Sequence, residues 1–220
     1  MANSDLYKAL SSLNSIEDIK ETFSLLNYEY TNTPLPTRQW PERSKEGLRE
    51  ACILARHQDF RILYFKLDHL LLTSERNILS QVFKNYPYFM AVFSDSTCNE
   101  WHFVNVKYDE EETKRRLFRR IVIGPGERLH TAAERLSFIE IKDESIAPLA
   151  LQIQHDQAFD VEAVTKEFFD TYKAILGNLI DELLQQKPNK TRRQAQAFAQ
   201  QFLNRLMFLY FIQKKDWLKW

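Results

Sequence analysis

The stretch YFMAVFSDSTCNEWHFVNVKY, residues 88–108, predicts two strands joined by a tight turn. Residues 88–93 form a short apolar run, and residues 101–108 are rich in aromatic and β-branched side chains, which are typical of strands. Between them, DSTCNE consists mostly of turn-forming residues. The two strands should therefore be antiparallel neighbours.

Further strands and helices are predicted on both sides of this hairpin. FRILYFKL at residues 60–67 has strand composition, and residues 117–123 extend the hairpin as far as the Gly-Pro-Gly at residues 124–126. Apolar residues at helical spacing predict helices over 74–86 and 127–138. We therefore expect an α/β (α+β) fold, with a small mixed sheet of about four strands flanked by helices.

The rest of the chain has helical periodicity. Residues 5–13, 15–26 and 44–57 are predicted to be helices, and residues 31–42, which contain three prolines, to be an extended connector. Beyond residue 141 the apolar period is helical, with long helices over 161–186 and 191–215. We expect N-terminal helices and a connector over 1–42, an α/β domain over 43–143, and a helical region over 144–220.

Composition excludes several classes of protein. With 44% hydrophobic residues the chain can build a core, and its longest nearly apolar run, residues 206–212, is too short to cross a bilayer. No secretory signal precedes the first helix, and two cysteines are too few for a disulfide framework or a cysteine-based zinc site. We therefore expect a cytoplasmic protein without a membrane partner.

The common catalytic motifs are absent from the sequence. The five histidines have no short metal-ligand spacing, and neither a Walker loop, a G-x-G-x-x-G nor a G-x-S-x-G occurs. These absences argue against zinc enzymes, ATPases, dehydrogenases and α/β hydrolases.

Basic residues form two local groups in a chain whose formal net charge is zero. KRRLFRR at residues 114–120 interleaves cations with apolar residues, and TRRQ lies at the predicted start of the last helix. Both groups are candidate contacts to the phosphates of duplex DNA: Lys114, Arg115, Arg116, Arg119, Arg120, Arg192 and Arg193. The alternative is that they are solvated, the first being balanced by the acidic run at residues 109–112.

A nuclease-like spacing lies within the hairpin. Asp95 and the Asn105-Val106-Lys107 triplet stand where restriction-type nucleases place a metal-binding Asp and an acid-x-Lys. Asn105 replaces the second carboxylate, so a complete Mg²⁺ site would need an acid from elsewhere, such as Glu50 or Asp68. Otherwise Asp95 is a turn residue, and Asn105 and Lys107 share one face of a strand with Trp101 and Phe103.

Much of residues 50–220 resembles a known family. QAFAQQFLNRLMFLYFIQKKDWL, residues 196–218, resembles the helix before the methyltransferase core of type IIG restriction-modification and related phage-defence adenine methylases. FRILYFKLDHLLLTSERNILSQVF, YFMAVFSDS, EWHFVNVKY and GPGERLHTAAERL are similar to the nuclease-like region of those proteins.

The resemblance implies a front module that approaches DNA and docks onto a C-terminal methyltransferase domain of the same protein. The chain has no Asn-Pro-Pro-Tyr or Asp-Pro-Pro-Tyr motif and no glycine-bearing cofactor loop, so it should not methylate by itself or require a cofactor. Mg²⁺ would be needed if nuclease activity survives. A second hypothesis is a non-catalytic protein-interaction module whose apolar last helix is the docking surface.

Overall fold

The computed structural model describes residues 2–108, 116–127, 129–186 and 191–214. The chain divides into two compact units, Met1–Asp160 and Val161–Trp220. The boundary between the units, after Asp160, lies C-terminal to the α/β domain that the sequence predicts over 43–143.

A six-stranded sheet forms the framework of the first unit, and it confirms the α/β class. The strands are ordered as they follow in the chain: β1 Glu29–Pro34, β2 Leu48–His57, β3 Phe60–Leu67, β4 Phe89–Ser94, β5 Trp101–Tyr108 and β6 Arg116–Ile123. Neighbouring strands are antiparallel except β3 and β4, which are parallel because α4 (Leu72–Val82) connects them as a crossover.

Two strands differ from the sequence prediction. The helix expected over 44–57 is wrong, because only α3 (Glu42–Lys45) is helical there and residues 48–57 form β2. Gly47, at φ +71°, turns the chain between them. Pairing of β2 with both β1 and β3 supplies ladder hydrogen bonds that outweigh local helix propensity.

The extended connector predicted over 31–42 overlaps the first strand. Glu29–Pro34 pairs with β2, with a register shift between Tyr30 and Thr33 where Asn32 has a φ of +45°. These two additional strands explain why the sheet has six strands rather than about four.

Helices cover both faces of the sheet. One face, the multi-helix face, packs against α1 (Ala2–Ser11), α2 (Ile16–Leu25), α5 (Leu129–Ser137) and α6 (Pro148–Ala158). Ser15 caps α2, as its sequence indicates. The other face, the α4 face, packs against α4 and the chain before β2.

Alternation along β5 assigns each side chain to a face. Trp101 and Phe103 are buried on the multi-helix face, while Val104 and Val106 are buried on the α4 face. Asn105 and Lys107 consequently belong to the multi-helix face, and His102 to the α4 face.

The second unit contains two long helices, α7 (Val161–Gln186) and α8 (Arg192–Lys214), close to the predicted bounds. Its small core consists of Ile180, Ala195 and Ala199, with leucines of α7 packed against it. Most of the large apolar side chains on α8 lie outside this core.

Candidate functional site

Asp95 closes the turn between β4 and β5. Its Oδ1 atom accepts hydrogen bonds from the backbone N–H groups of Asn99, at 2.8 Å, and Glu100, at 3.0 Å, and Oδ2 accepts from Thr97. Burial alone would raise the pKa of Asp95. The hydrogen bonds lower the pKa by more than burial raises it, so the pKa lies below its usual value. The carboxylate therefore acts here as a turn cap.

Asn105 lies in the middle of β5 and is fully buried. Its Nδ2 donates to Asp156 Oδ1 at 2.7 Å, and its Oδ1 accepts from Gln152 Nε2 at 2.9 Å. Burial raises the pKa of Asp156, and the hydrogen bonds from Asn105 and Gln152 and the charge of Lys107 only partly oppose that rise. The carboxylate that accepts from Asn105, and whose pKa the charge of Lys107 lowers, thus comes from α6.

The structure does not bring Asp95 to Asn105 and Lys107. Ser94 pairs with Trp101, whereas Asn105 pairs with Met90, four residues further along the ladder. At ~3.3 Å per residue this separates Asp95 from Asn105 by on the order of 13 Å or more. One divalent cation cannot contact both side chains in this arrangement.

The other acids considered from sequence do not complete a metal site. Asp68 lies near the turn, since Ser96 Oγ donates to its carbonyl, but its carboxylate accepts from Arg49 at 2.5 Å. Glu50 lies on β2, opposite Lys66. Among the described residues, no group of three His, Cys, Asp or Glu side chains is arranged to hold a metal ion.

An ionic cluster around a buried carboxylate on the α4 face was not predicted from the sequence. Glu75 of α4 is 1% exposed; its Oε1 lies 2.5 Å from His102 Nδ1, and its Oε2 accepts from Arg120 at 2.6 Å. The second ring nitrogen of His102 lies 2.9 Å from Glu100 Oε1. We call these four residues the Glu75 cluster.

The contacts of the Glu75 cluster favour the charged form of His102. Each ring nitrogen lies within hydrogen-bond distance of a carboxylate oxygen, and an imidazolium ring, which has two N–H donors, satisfies both contacts. Burial and the charge of Arg120 lower the pKa of His102, but the hydrogen bonds with Glu75 and Glu100 and the charge of Glu75 outweigh them and raise the pKa overall.

The basic run does not form one continuous patch in its described part. Arg119 and Arg120 point to opposite faces of β6, because side chains alternate along a strand. Arg120 binds Glu75, whereas half-buried Arg119 has no ion pair among the described residues. Lys114 and Arg115 lie outside the described residues, and Arg116 is described only as part of β6.

In the second unit, Arg192 and Arg193 are exposed at the start of α8, and Arg192 lies 3.9 Å from Asp181. Further along α8 the apolar side chains are exposed too: Phe202 by 45%, Leu206 by 47% and Phe208 by 62%. Within the described residues of this unit, these side chains are not covered by α7.

Reactive thiols are not part of the described surface. Cys52 and Cys98 are both free and buried. Burial, together with the nearby charge of Glu50, raises the pKa of Cys52 to about 12, so it remains a thiol near neutral pH.

One sequence signal could have revealed the Glu75 cluster. Glu75 occupies the apolar stripe that Ile78, Leu79 and Val82 form on α4, and a charged residue in such a stripe requires a buried partner. Asp156 had no comparable signal, since its contact with Asn105 spans 51 residues.

No family model, curated protein or solved structure matches this chain. In the parts of the chain that the structure covers, no helix has both the length and the apolar character needed to cross a membrane.

Proposed function

We propose that this chain is the nuclease-like, DNA-approaching front module of a cytoplasmic restriction-modification or phage-defence DNA methyltransferase. In this proposal α8 docks onto the methyltransferase domain, and the chain itself transfers no methyl group. The observation that supports it most directly is the exposed apolar surface of α8, in a segment that resembles the helix before the methyltransferase core.

The apolar surface on α8 has the spacing of a helix that binds in a groove. Phe202, Leu206 and Leu209 follow one another at intervals of four and three residues, so they lie on one side of the helix. Burying a Phe or Leu side chain contributes about 1.5–3 kcal/mol, so covering this stripe favours association. A contiguous exposed stripe of this kind is typical of an interaction site.

The proposed DNA contact is centred on Arg119. It pairs across the ladder with Asn105, and Lys107 lies two residues further along β5 on the same face. Such diagonal neighbours on a sheet lie about 7 Å apart, which lets two cations contact neighbouring phosphates. Asp156 reduces the local positive charge, so we expect weak and strongly salt-dependent binding.

The docking role is tested with Phe202→Glu and Leu206→Glu in α8. We expect each to abolish association with a type IIG methyltransferase domain supplied separately, while the exposed control Gln200→Glu retains it. Equal association of the wild type and all three variants would refute docking through α8.

The DNA role is tested by binding to a short duplex from low to moderate salt. Arg119→Gln and Lys107→Gln should each weaken binding, whereas Lys142→Gln, at an exposed site outside the strands, should not. If the wild-type protein does not bind duplex DNA at low salt, the DNA role is refuted.

Cleavage in Mg²⁺ or Mn²⁺ is a separate question. We expect none, because Asp95 and Lys107 lie far apart on the ladder. Cleavage that both Asp95→Ala and Lys107→Ala abolish would show that an active nuclease site exists.

A protein-interaction module without DNA contact is the second candidate. The observation that favours it is the engagement of Arg120 with Glu75, which removes one of the predicted phosphate contacts. Docking through α8 combined with no duplex binding would support this candidate over the first.

A further inference from the structure

A cleft of about 890 Å³ lies on the first unit, between the chain after β1 and the C-terminal end of α4. Its wall includes two aromatic rings, two cations and two exposed amides: Trp40, Tyr86, Arg38, Lys84, Gln39 and Asn85. No carboxylate is among the described residues that line it. The cleft is therefore electropositive although the chain as a whole is neutral.

Both aromatic rings are anchored on the core while part of each stays exposed. Trp40 packs at the edge of the α4-face core, with its ring centroid 6.3 Å from that of Phe65. Tyr86 packs against the same core just after α4. Half-buried rings held in this way offer rigid flat surfaces to a planar ligand at little entropic cost.

The two cations keep hydrogen-bonding capacity. Lys84 Nζ donates to the Oε1 atom of buried Gln81 at 2.7 Å, which holds the ammonium group without neutralising its charge. An ammonium group has three N–H donors, so two remain for a ligand. Arg38 is exposed and makes no ion pair with any described residue.

We propose that this cleft binds a nucleotide. The base stacks on Trp40 or Tyr86, Arg38 and Lys84 bind the phosphate, and the amides of Gln39 and Asn85 meet the polar edge of the base. Aromatic stacking combined with cations is the chemistry by which proteins hold single nucleotides and unpaired strands. The volume lies within the usual range for small-molecule sites, about 300–1,000 Å³.

The nucleotide can come from two sources, a free mononucleotide or single-stranded nucleic acid. Neither Arg119 nor α8 contributes to the cleft, so this proposal stands or fails separately from the proposed function.

The test titrates the full chain with adenosine 5′-monophosphate, adenosine, inorganic phosphate and a ten-residue oligothymidylate. Binding is followed by calorimetry and by tryptophan fluorescence, and the Trp40→Phe variant shows which part of the fluorescence change comes from Trp40. Trp40→Leu removes the stacking surface, and Trp40→Phe keeps a ring. Lys84→Gln removes the charge, and Lys142→Gln is the matched control, exposed beside Ile141 of the multi-helix-face core. Circular dichroism and thermal unfolding confirm that each variant is folded.

We expect adenosine monophosphate to bind more tightly than either adenosine or inorganic phosphate. Trp40→Leu and Lys84→Gln should each weaken binding about tenfold, Trp40→Phe should weaken it less, and Lys142→Gln should have no effect. Tighter binding of the oligothymidylate would identify single strands as the source, and binding of the mononucleotide alone would identify free nucleotides.

Three results would overturn the proposal. The first is that neither the mononucleotide nor the oligonucleotide binds at millimolar concentration. The second is that phosphate and adenosine monophosphate bind with equal affinity. The third is that folded Lys84→Gln and the wild type bind adenosine monophosphate with equal affinity.

Discussion

His102 Nδ1 lies 2.5 Å from Oε1 of Glu75, a carboxylate that is almost completely buried. The same carboxylate accepts from Arg120, so one acid of α4 links two neighbouring strands, β5 and β6. Removing either cation leaves a buried negative charge less well compensated, and such an imbalance is costly. The Glu75 cluster is therefore expected to control the stability of this side of the sheet.

The Glu75 cluster should lose stability at alkaline pH. The folded-state pKa of His102 is raised, so its contribution is complete below the unfolded pKa, ~6.5, and is lost as pH rises through the folded pKa. Urea unfolding of wild type and His102→Gln should therefore give free energies that differ most near pH 5.5 and converge at higher pH. The control is His69→Gln, at an exposed position; parallel curves for wild type and His102→Gln would contradict the imidazolium assignment.

Neighbouring arginines of β6 should respond differently to substitution. Arg120→Gln is expected to lower the free energy of unfolding by about 2 kcal/mol, because Glu75 loses a charged partner. Arg119→Gln should change it by less than about 0.5 kcal/mol, as is usual for a side chain without such a partner. Chemical denaturation of the two variants measures the difference, and equal costs would mean that Arg120 is not committed to the cluster.

His155 should make the protein sensitive to acid. Tyr28 Oη donates to the carbonyl of Ile139 at 3.0 Å, so His155 Nε2, at 2.7 Å, donates to Tyr28. Burial lowers the pKa of His155 to about 3. Since the unfolded chain binds a proton near pH ~6.5, stability should fall as pH decreases from there toward 3.

His155→Gln keeps a donor for Tyr28 but cannot titrate, so it should reduce the loss of unfolding free energy between pH 6.5 and 4. The comparison uses urea unfolding at each pH, again with His69→Gln as the control. An unchanged slope in His155→Gln would assign the acid sensitivity to other groups.

Restoring an acid at Asn105 should destabilise the protein without creating a cation site. Asn105→Asp places a second carboxylate against Asp156, whose Oδ1 lies 2.7 Å from the present amide. Two carboxylates at this distance cannot both ionise cheaply, so we expect a loss of about 2 kcal/mol at pH 7 that partly recovers near pH 5.

The control for charge alone is Gln157→Glu, an exposed neighbour of Asp156 on α6. Thermal unfolding of Asn105→Asp should not respond to Mg²⁺, since Asp95 is at the far end of the hairpin. A Mg²⁺-dependent stabilisation of Asn105→Asp would contradict the separation of the two sites.

Local patterns predicted the central hairpin because both its strands and its turn have distinctive composition. β3, β4, β5 and β6 were confirmed, and so were α2 and α7. β2 was not, since its Leu48, Ala51, Cys52 and Ala55 satisfy helical spacing equally well. Pairing with strands on both sides decides between the two structures, and no local window contains that information.

The polar contacts were less predictable than the strands. Glu75 and His102 are 27 residues apart, and Arg120 is 45 residues from Glu75. A spacing rule relates residues on one or two elements, whereas the Glu75 cluster depends on how α4 lies across β5 and β6. The sequence left two interpretations of Asp95 open, a metal ligand and a turn residue, and the ladder register, which separates Asp95 from Lys107, agrees with the second.

The irregular first strand has a consequence for the behaviour of the protein at high concentration. β1 ends at Pro34, which has no N–H group to donate, and its register shift at Tyr30–Thr33 interrupts the ladder. An incoming strand from another molecule would find few evenly spaced donors and acceptors along this margin. The lateral boundary of the sheet at β1 is thereby protected against the edge-to-edge recruitment that begins many aggregates.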